Sequence, residues 1–124
     1  MSACQHPKCK PHPAHVYIAS PYTAPDPAVN VHAAVMAAAE LLDRGDCVPI
    51  VPHLTHLWHL IDPRPYEDWI AYDLALLGRC DALLRLPGDS PGADGEVLHA
   101  ASLGIPTFHH LDDVHDWATR KARP

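Results

Sequence analysis

The sequence predicts an α/β domain: a three-layer sandwich in which helices cover both faces of a parallel sheet of four to five strands. Two kinds of segment, alternating along the chain, predict it. Short apolar runs bounded by turn-forming residues alternate along the chain with longer stretches whose apolar residues recur at helical spacing. Such alternation pairs strands in parallel through right-handed crossovers. The 124 residues suit one domain, which we expect over 15–124 after a flexible Pro/His-rich tail at 1–14.

Four segments are typical of short buried strands. The first, Val-Tyr-Ile-Ala-Ser, ends abruptly at Pro21, as a strand does before a turn. Pro49 lies inside the second and cannot donate to a sheet ladder, so we expect that strand at an edge of the sheet. The predicted strands cover residues 16–20, 47–51, 81–86 and 105–108.

Four longer segments are typical of helices. Gly104 stands where the third should stop, and Asp112 or Asp113 should cap the last. The predicted helices cover residues 28–44, 66–77, 93–103 and 111–123, with one or two further helical turns at 54–60. The order β-α-β-α-β-α-β-α is typical of a flavodoxin-like sheet.

Charge and hydropathy exclude two classes of partner. The chain has 9 basic and 15 acidic residues, a formal charge of -6, and no stripe of Lys and Arg of the kind that binds polymeric nucleic acid. No apolar run approaches the roughly 20 residues that span a bilayer. Residues 1–15 are polar and Pro-rich rather than signal-like, so we expect a cytoplasmic protein.

The four cysteines divide into two pairs. Cys47 and Cys80 each begin an apolar run, where a buried thiol is common, so we expect both in the core. Cys4 and Cys9 lie in the tail with several histidines, and thiols and imidazoles are ligands that zinc prefers. Their spacing matches no closed four-ligand pattern and the prolines favour a loose tail, so no metal is predicted.

The loop after the third strand is the most informative segment for function. Ligands of parallel α/β folds bind beyond the carboxyl ends of the strands, and this loop is Gly-rich and leads to Glu96 in the first turn of a helix. Backbone amides at a helix start suit a phosphate and also stabilise an ionised, nucleophilic carboxylate. The alternative is that Asp94 and Glu96 only complement the helix dipole. The loops at the three strand ends cover residues 20–23, 52–56 and 87–96.

Other polar residues allow both a functional and a structural interpretation. Tyr17 lies near the end of the first strand and can reach a group at the mouth of the sheet, although aromatic residues in strands usually pack in the core. Asp73 lies in the helix 66–77, facing either solvent or the sheet edge. Asp81 opens the third strand, where a structural cap is the more common role.

Three histidines, His53, His56 and His59, recur at helical spacing, close enough for two of them to share a metal. The acid of a His-Glu-x-x-His helix is absent, so side chains that line a substrate or face solvent are the favoured interpretation. The sequence also has no Gly-x-Gly-x-x-Gly fingerprint, and no organic cofactor is expected.

Three motifs occur in a specific order and spacing. They are Val16-Tyr17-Ile18-Ala19-Ser20-Pro21-Tyr22-Thr23, Asp73-Leu74 with Cys80-Asp81-Ala82-Leu83, and Ser90-x-Gly92-Ala93-x-x-Glu96 with Ala100 and Gly104. Over about residues 16–108 they resemble the nucleoside 2-deoxyribosyltransferase superfamily. That superfamily includes base-exchanging transferases and 2′-deoxynucleoside 5′-phosphate N-hydrolases. The chain is also similar to a small uncharacterised branch whose loop reads Leu-Pro-Gly-x-x-x-Gly-Ala.

The resemblance implies a catalytic role for three residues. Glu96 would be the nucleophile that attacks the anomeric carbon, giving a glycosyl-enzyme ester that water or a second base resolves with retention. Tyr17 would orient this carboxylate through a hydrogen bond. Asp73 would contact the base or help to protonate it as it leaves.

The resemblance also implies a substrate. Ser90 stands six residues before Glu96, where the nucleotide hydrolases have a phosphate-contacting serine and the transferases tend to have an aspartate, so a 5′-monophosphate is favoured. Ser20-Pro21 departs from the Gly-Ser turn of the hydrolases. The predicted substrate-binding residues are Ser20, His53, Ser90, Gly92 and Ala93.

Relatives complete their sites with residues from a neighbouring subunit, which implies a homodimer or higher homo-oligomer. Trp58, His59 and the segment 66–69 are the expected contributors. Three alternatives remain: a deoxyribosyltransferase that exchanges bases, a nucleotide-binding module without turnover, and a metal-binding protein built on Cys4, Cys9 and the histidines.

Overall fold

A computed structural model of the protein describes residues 13–121 and contains one parallel sheet. Its four strands run in the order β2-β1-β3-β4, which is the flavodoxin-like order and confirms the predicted fold class. The edge position that Pro49 predicts for the second strand is also confirmed. The strands are β1 (Ala14–Ala19), β2 (Cys47–Ile50), β3 (Ala82–Arg85) and β4 (Thr107–Phe108).

In the described part of the chain, five α-helices connect and flank these strands, and a short 3₁₀ turn at Pro52–Leu54 leads into the second of them. Within residues 13–121, no helix combines the length and the apolarity that crossing a membrane requires. The helices are α1 (Pro27–Arg44), α2 (Thr55–Ile61), α3 (Tyr66–Leu77), α4 (Pro91–Ser102) and α5 (Leu111–Lys121).

Several element ends differ from the prediction. Strand β1 begins two residues early because Ala14 pairs with Cys47, and β4 is shorter because only two of its residues pair with β3. Helix α4 begins at Pro91 because the Ser90 hydroxyl accepts a hydrogen bond from the amide of Ala93 at 3.0 Å, a cap that was not predicted. The predicted cap of α5 is wrong, since Asp112 and Asp113 both lie inside its first turn.

Side chains of β1 alternate between two separate hydrophobic clusters, one on each face of the sheet. Val16 and Ile18 pack with residues of α1 and α5. Tyr17 and Ala19 pack on the opposite face with residues of α3 and α4. This alternation follows from the two-residue period of a strand and makes the molecule a three-layer sandwich. The expected burial of the Cys47 and Cys80 thiols is confirmed.

The β3–α4 loop packs against the β1–α1 loop through Gly88. This glycine has φ 121°, and a Cβ added to it would lie 2.7 Å from Cγ of Pro21. Both the backbone conformation and the contact therefore exclude a larger residue. The two loops meet at the carboxyl ends of adjacent strands, where the predicted site lies.

Substitution of Gly88 by alanine is expected to destabilise the protein by about 1–3 kcal/mol, because it combines a strained φ with a steric clash. Gly95→Ala is the matched control. Gly95 is exposed inside α4, and a Cβ there meets nothing within 4 Å. The Gly95→Ala substitution should therefore stabilise the protein by about 0.5–1 kcal/mol. Denaturant unfolding of both variants checks the pair, and equal stabilities would contradict the contact between the loops.

Candidate active site

A cavity of about 440 Å³ opens at the carboxyl ends of the strands. Its walls come from the loops that follow β1 and β2, from one face of α3, and from the start of α4. Most of the predicted site residues lie in this wall, although they come from four separate parts of the chain. Those that line it are Ser20, His53, Asp73, Ser90, Gly92, Ala93 and Glu96.

Tyr17 is hydrogen-bonded to Glu96, which lines this cavity. The ring of Tyr17 is fully buried in the cluster beside α3 and α4, and its hydroxyl donates a hydrogen bond to Oε2 of Glu96. Burial, and then the negative charge of Glu96, raise the pKa of Tyr17, so the phenol keeps its proton and remains the donor. Tyr17 therefore packs in the core and also fixes one carboxylate oxygen.

Asp73 lies on the cavity face of α3 and not in open solvent. Burial, and then the charge of Glu96, raise the pKa of its carboxyl to about 7. Its Oδ1 atom is buried and accepts no hydrogen bond from any residue in the described range 13–121. A buried carboxyl oxygen without a donor is more stable protonated than charged, because no dipole replaces the lost water.

The environments of the two carboxyls differ in a way that separates their protonation. Burial raises the pKa of Glu96 to about 7, while the Tyr17 hydrogen bond and the charge of Arg85 act in the opposite direction. Asp73 has neither of these stabilising partners. Near neutral pH the favoured state of the pair is therefore an ionised Glu96 beside a protonated Asp73. A nucleophile and an acid are combined in this way in glycosidic chemistry.

Arg85, which was not among the predicted site residues, supports Glu96 from the end of β3. Its side chain is only 10% exposed. Its guanidinium donates to the carbonyl of Leu86, to the carbonyl of Gly88 at 2.8 Å, and to Oδ1 of Asp94 at 3.0 Å. Asp94 is thus tied to this arginine, whereas Glu96 faces the cavity. A single Arg closing an otherwise apolar strand was the signal that could have identified it.

Substitution of Arg85 by glutamine is expected to raise the pKa of Glu96, because it removes a positive charge that favours the ionised carboxylate. The ¹³C chemical shift of the Glu96 carboxyl, followed against pH, measures this without any substrate. Arg79→Gln removes a positive charge elsewhere on the surface and should leave the titration unchanged. A Glu96 titration that is the same in both variants would count against the supporting role.

Three groups that can bind an anion lie together at the start of α4. They are the Ser90 hydroxyl, the backbone amide of Gly92 and the Tyr66 hydroxyl of α3. The Ser90 hydroxyl accepts from the amide of Ala93, so its own proton is free to be donated into the cavity. A Cβ added at Gly92 would lie 3.9 Å from the Ser90 hydroxyl and 3.6 Å from the Tyr66 hydroxyl, which places all three together. Tyr66 was expected only as a subunit contact. The Asp89 side chain also lines the cavity, and its negative charge opposes a phosphate dianion there.

Ser20 and His53 shape the first loop. Both are buried, and both donate to the carbonyl of Pro21, from Oγ of Ser20 at 3.3 Å and from Nε2 of His53 at 2.8 Å. A carbonyl only accepts, so Nε2 of His53 carries a proton. Burial lowers the pKa of His53, which keeps the ring neutral. The two residues thus line the cavity while holding its β1 wall in place.

The three spaced histidines have different partners. Nδ1 of His56 lies 2.6 Å from the Tyr22 hydroxyl, and Nδ1 of His59 accepts from the indole of Trp69 at 2.8 Å. In the described part of the chain, no three His, Cys, Asp or Glu side chains are grouped to hold a metal. The segment with Cys4 and Cys9 lies outside the described residues.

Asp81 has a structural partner. Its Oδ2 accepts from the backbone amide of His15 at 2.8 Å, which ties the start of β3 to β1. Asp81 therefore has a structural role, as a cap at the end of the sheet opposite the cavity.

Comparison with known proteins places the chain by fold and by family. It is similar to a solved structure of 2-deoxyribosyltransferase from the psychrotolerant bacterium Bacillus psychrosaccharolyticus, with a TM-score of 0.51 and 18% sequence identity over 82% of this chain and 90% of that chain. At this identity the likeness establishes a shared fold. Comparison with curated proteins gives no match. Residues 14–110 match the sequence profile of the family described as "Domain of unknown function (DUF7768)", and the chain belongs to that family.

Proposed function

We propose that this protein cleaves the N-glycosidic bond of a nucleoside 5′-monophosphate or nucleoside through a glycosyl-enzyme intermediate on Glu96. One observation carries the proposal. A half-buried carboxylate that accepts a hydrogen bond from a buried tyrosine shares a cavity with a second carboxyl, whose Oδ1 is buried and has no hydrogen-bond donor among residues 13–121. The fold shared with a 2-deoxyribosyltransferase supports it.

The proposed first step forms an ester on Glu96. The carboxylate attacks the anomeric carbon, the carbon–nitrogen bond breaks, and its electron pair goes to the base nitrogen. Asp73 supplies the proton that the leaving base needs. The Tyr17 hydroxyl holds Oε2, so the other oxygen of Glu96 is free to attack.

The second step restores the enzyme. A water molecule attacks the anomeric carbon from the face that the base has left, and Asp73, now a carboxylate, takes the water proton. Glu96 departs as a carboxylate, again stabilised by the Tyr17 hydrogen bond. Two displacements at one carbon retain its configuration. A transferase would bind a second base in place of this water.

We propose the start of α4 as the place where a 5′-phosphate would bind. The Ser90 and Tyr66 hydroxyls and the amide at Gly92 are donors without a negative charge of their own. The carboxylate of Asp89 in the same wall favours the second candidate, an uncharged nucleoside. We therefore propose both substrate classes and let their relative rates decide between them.

The testing experiment is a panel of deoxyribo- and ribonucleosides and their 5′-monophosphates, incubated with and without an acceptor base, beside the Glu96→Ala variant. Free base that only the intact protein releases would support the glycosidase. A new nucleoside formed only with the acceptor would identify the transferase. If a nucleotide binds measurably and nothing reacts, the protein is a nucleotide-binding module and the catalytic proposal falls.

We further propose a homo-oligomer whose contact lies beside the cavity. Helix α2 has no buried residue and, with α3, exposes several large apolar side chains. Sedimentation measures the assembly state, and mixing two inactive variants tests a shared site, because recovered activity requires residues from both copies. The exposed side chains are Leu57, Trp58, Leu60 and Ile61 on α2, and Tyr66 and Tyr72 on α3.

A further inference from the structure

His59 is held in one tautomer by two donors. Its Nδ1 accepts from the indole N–H of Trp69 at 2.8 Å and from the backbone N–H of Arg64 at 3.2 Å. An indole nitrogen and a backbone amide can only donate, so Nδ1 must present its lone pair to both. In the neutral ring the proton therefore lies on Nε2.

The ring that receives these bonds is also fixed sterically. The Trp69 ring packs edge-on against His59 with ring centres 5.9 Å apart, and against Trp58 and Tyr72 at 5.4 and 6.1 Å. His59 and Trp69 both line the cavity. Within residues 13–121, Nε2 of His59 has no hydrogen-bond partner, whereas Nε2 of His53 is occupied by Pro21.

We propose that His59 is a specificity-determining residue, whose Nε2–H donates a hydrogen bond to a carbonyl oxygen or ring nitrogen of the bound nucleobase. This inference rests on the proposed function, because it assigns a role within the same cavity. Trp69 acts as its positioning residue by keeping Nδ1 an acceptor.

The surroundings of His59 favour the base over the phosphate as its partner. Trp69 and Asp73 are four residues apart on α3 and share its cavity face. The acid proposed to protonate the departing base therefore stands next to the residue that holds His59. Trp69 and Ile70 add apolar surface to the cavity, which suits a base, whereas the donors that could bind a phosphate lie around Ser90.

The fixed tautomer has a selective consequence. The Nε2–H group can donate a hydrogen bond but cannot accept one. A base that presents a donor at that position therefore leaves two donors facing each other. Loss or mismatch of one desolvated hydrogen bond corresponds to roughly 10–100-fold in affinity. A ring free to exchange tautomers would not discriminate in this way.

The first test is ¹⁵N NMR of histidine-labelled, ligand-free protein, with His59 assigned by its substitution. The expected spectrum of the neutral ring has a protonated Nε2 and an unprotonated Nδ1, and Trp69→Phe should yield a mixture of tautomers. A neutral ring with its proton on Nδ1 in the wild-type protein would overturn the proposal. This readout needs neither substrate nor turnover.

The second test measures the affinities of free adenine, guanine, hypoxanthine, cytosine, uracil and thymine. His59→Phe is expected to weaken the tightest base by about 10–100-fold and to narrow the spread among bases, and His59→Gln, which keeps an N–H donor, should recover part of both. His32→Phe, an exposed position on α1, is the control.

The outcomes separate this inference from the proposed function. Unchanged affinity ratios in His59→Phe, or no binding of any base by the wild-type protein, would overturn it even if a nucleotide is hydrolysed. If His59→Phe loses base selectivity and the wild-type protein hydrolyses no substrate, the role of His59 is supported and only the catalytic proposal is rejected.

Discussion

Replacement of Glu96 by glutamine is expected to lower the rate of glycosidic cleavage by at least about 10⁴-fold, because an amide oxygen cannot form the ester intermediate. The substitution keeps the shape of the side chain, and glutamine still accepts the hydrogen bond from Tyr17. The loss should therefore appear in kcat and leave substrate affinity largely intact. Single-turnover release of the base from the best substrate of the panel measures it.

The matched control for this variant is Glu67→Gln. It makes the same chemical change at an exposed carboxylate in the first turn of α3, which does not line the cavity. In the wild-type protein, rapid denaturation during turnover followed by mass spectrometry should detect a glycosyl group on the peptide that contains Glu96. A Glu96→Gln rate within tenfold of wild type would exclude Glu96 as the nucleophile.

Replacement of Asp73 by asparagine is expected to lower the rate by about 10²–10⁴-fold and to abolish the alkaline limb of the pH profile. In the wild-type protein the rate should rise as Glu96 ionises and fall as Asp73 loses its proton. Both pKa values are raised to about 7, so we expect a narrow bell centred near neutral pH. Asparagine has no proton to lose, and only the limb that reports Glu96 should remain.

A substrate that needs no acid provides the control. A guanine base methylated at N7 carries a positive charge and leaves without protonation, so Asp73→Asn should impair cleavage of the 7-methyl derivative much less than that of the unmethylated guanine substrate with the same sugar. An equal loss for both substrates would show that Asp73 does not act as an acid.

Stability gives a second, activity-independent readout of Asp73. A carboxyl whose pKa is raised on folding binds its proton more tightly in the folded state, so wild-type stability falls as the pH rises from about 4, the usual value, to about 7. The free energy of unfolding of Asp73→Asn, taken relative to wild type, should increase over this interval and stay constant above it.

The sequence by itself determined the elements and much of the candidate site. Apolar periodicity and the positions of Gly and Pro are local properties, and they were sufficient to place four strands and the long helices of a parallel sheet. Because the carboxyl ends of parallel strands meet, the same order predicted that the loops with Ser20, His53 and Glu96 lie together. The roles of Tyr17 and Asp73 came from motifs alone and stay predictions.

Only the tertiary structure decided how these residues act on one another. The Tyr17 hydroxyl reaches a carboxylate 79 residues away, and that contact depends on the packing of α4 against β1. The effect of the Arg85 charge on Glu96 likewise depends on the packing of α4 against β3, and the tautomer of His59 depends on the contact between α2 and Trp69 of α3. Protonation depends on burial and on neighbouring charge, which exist only once separate segments have been brought together by the fold.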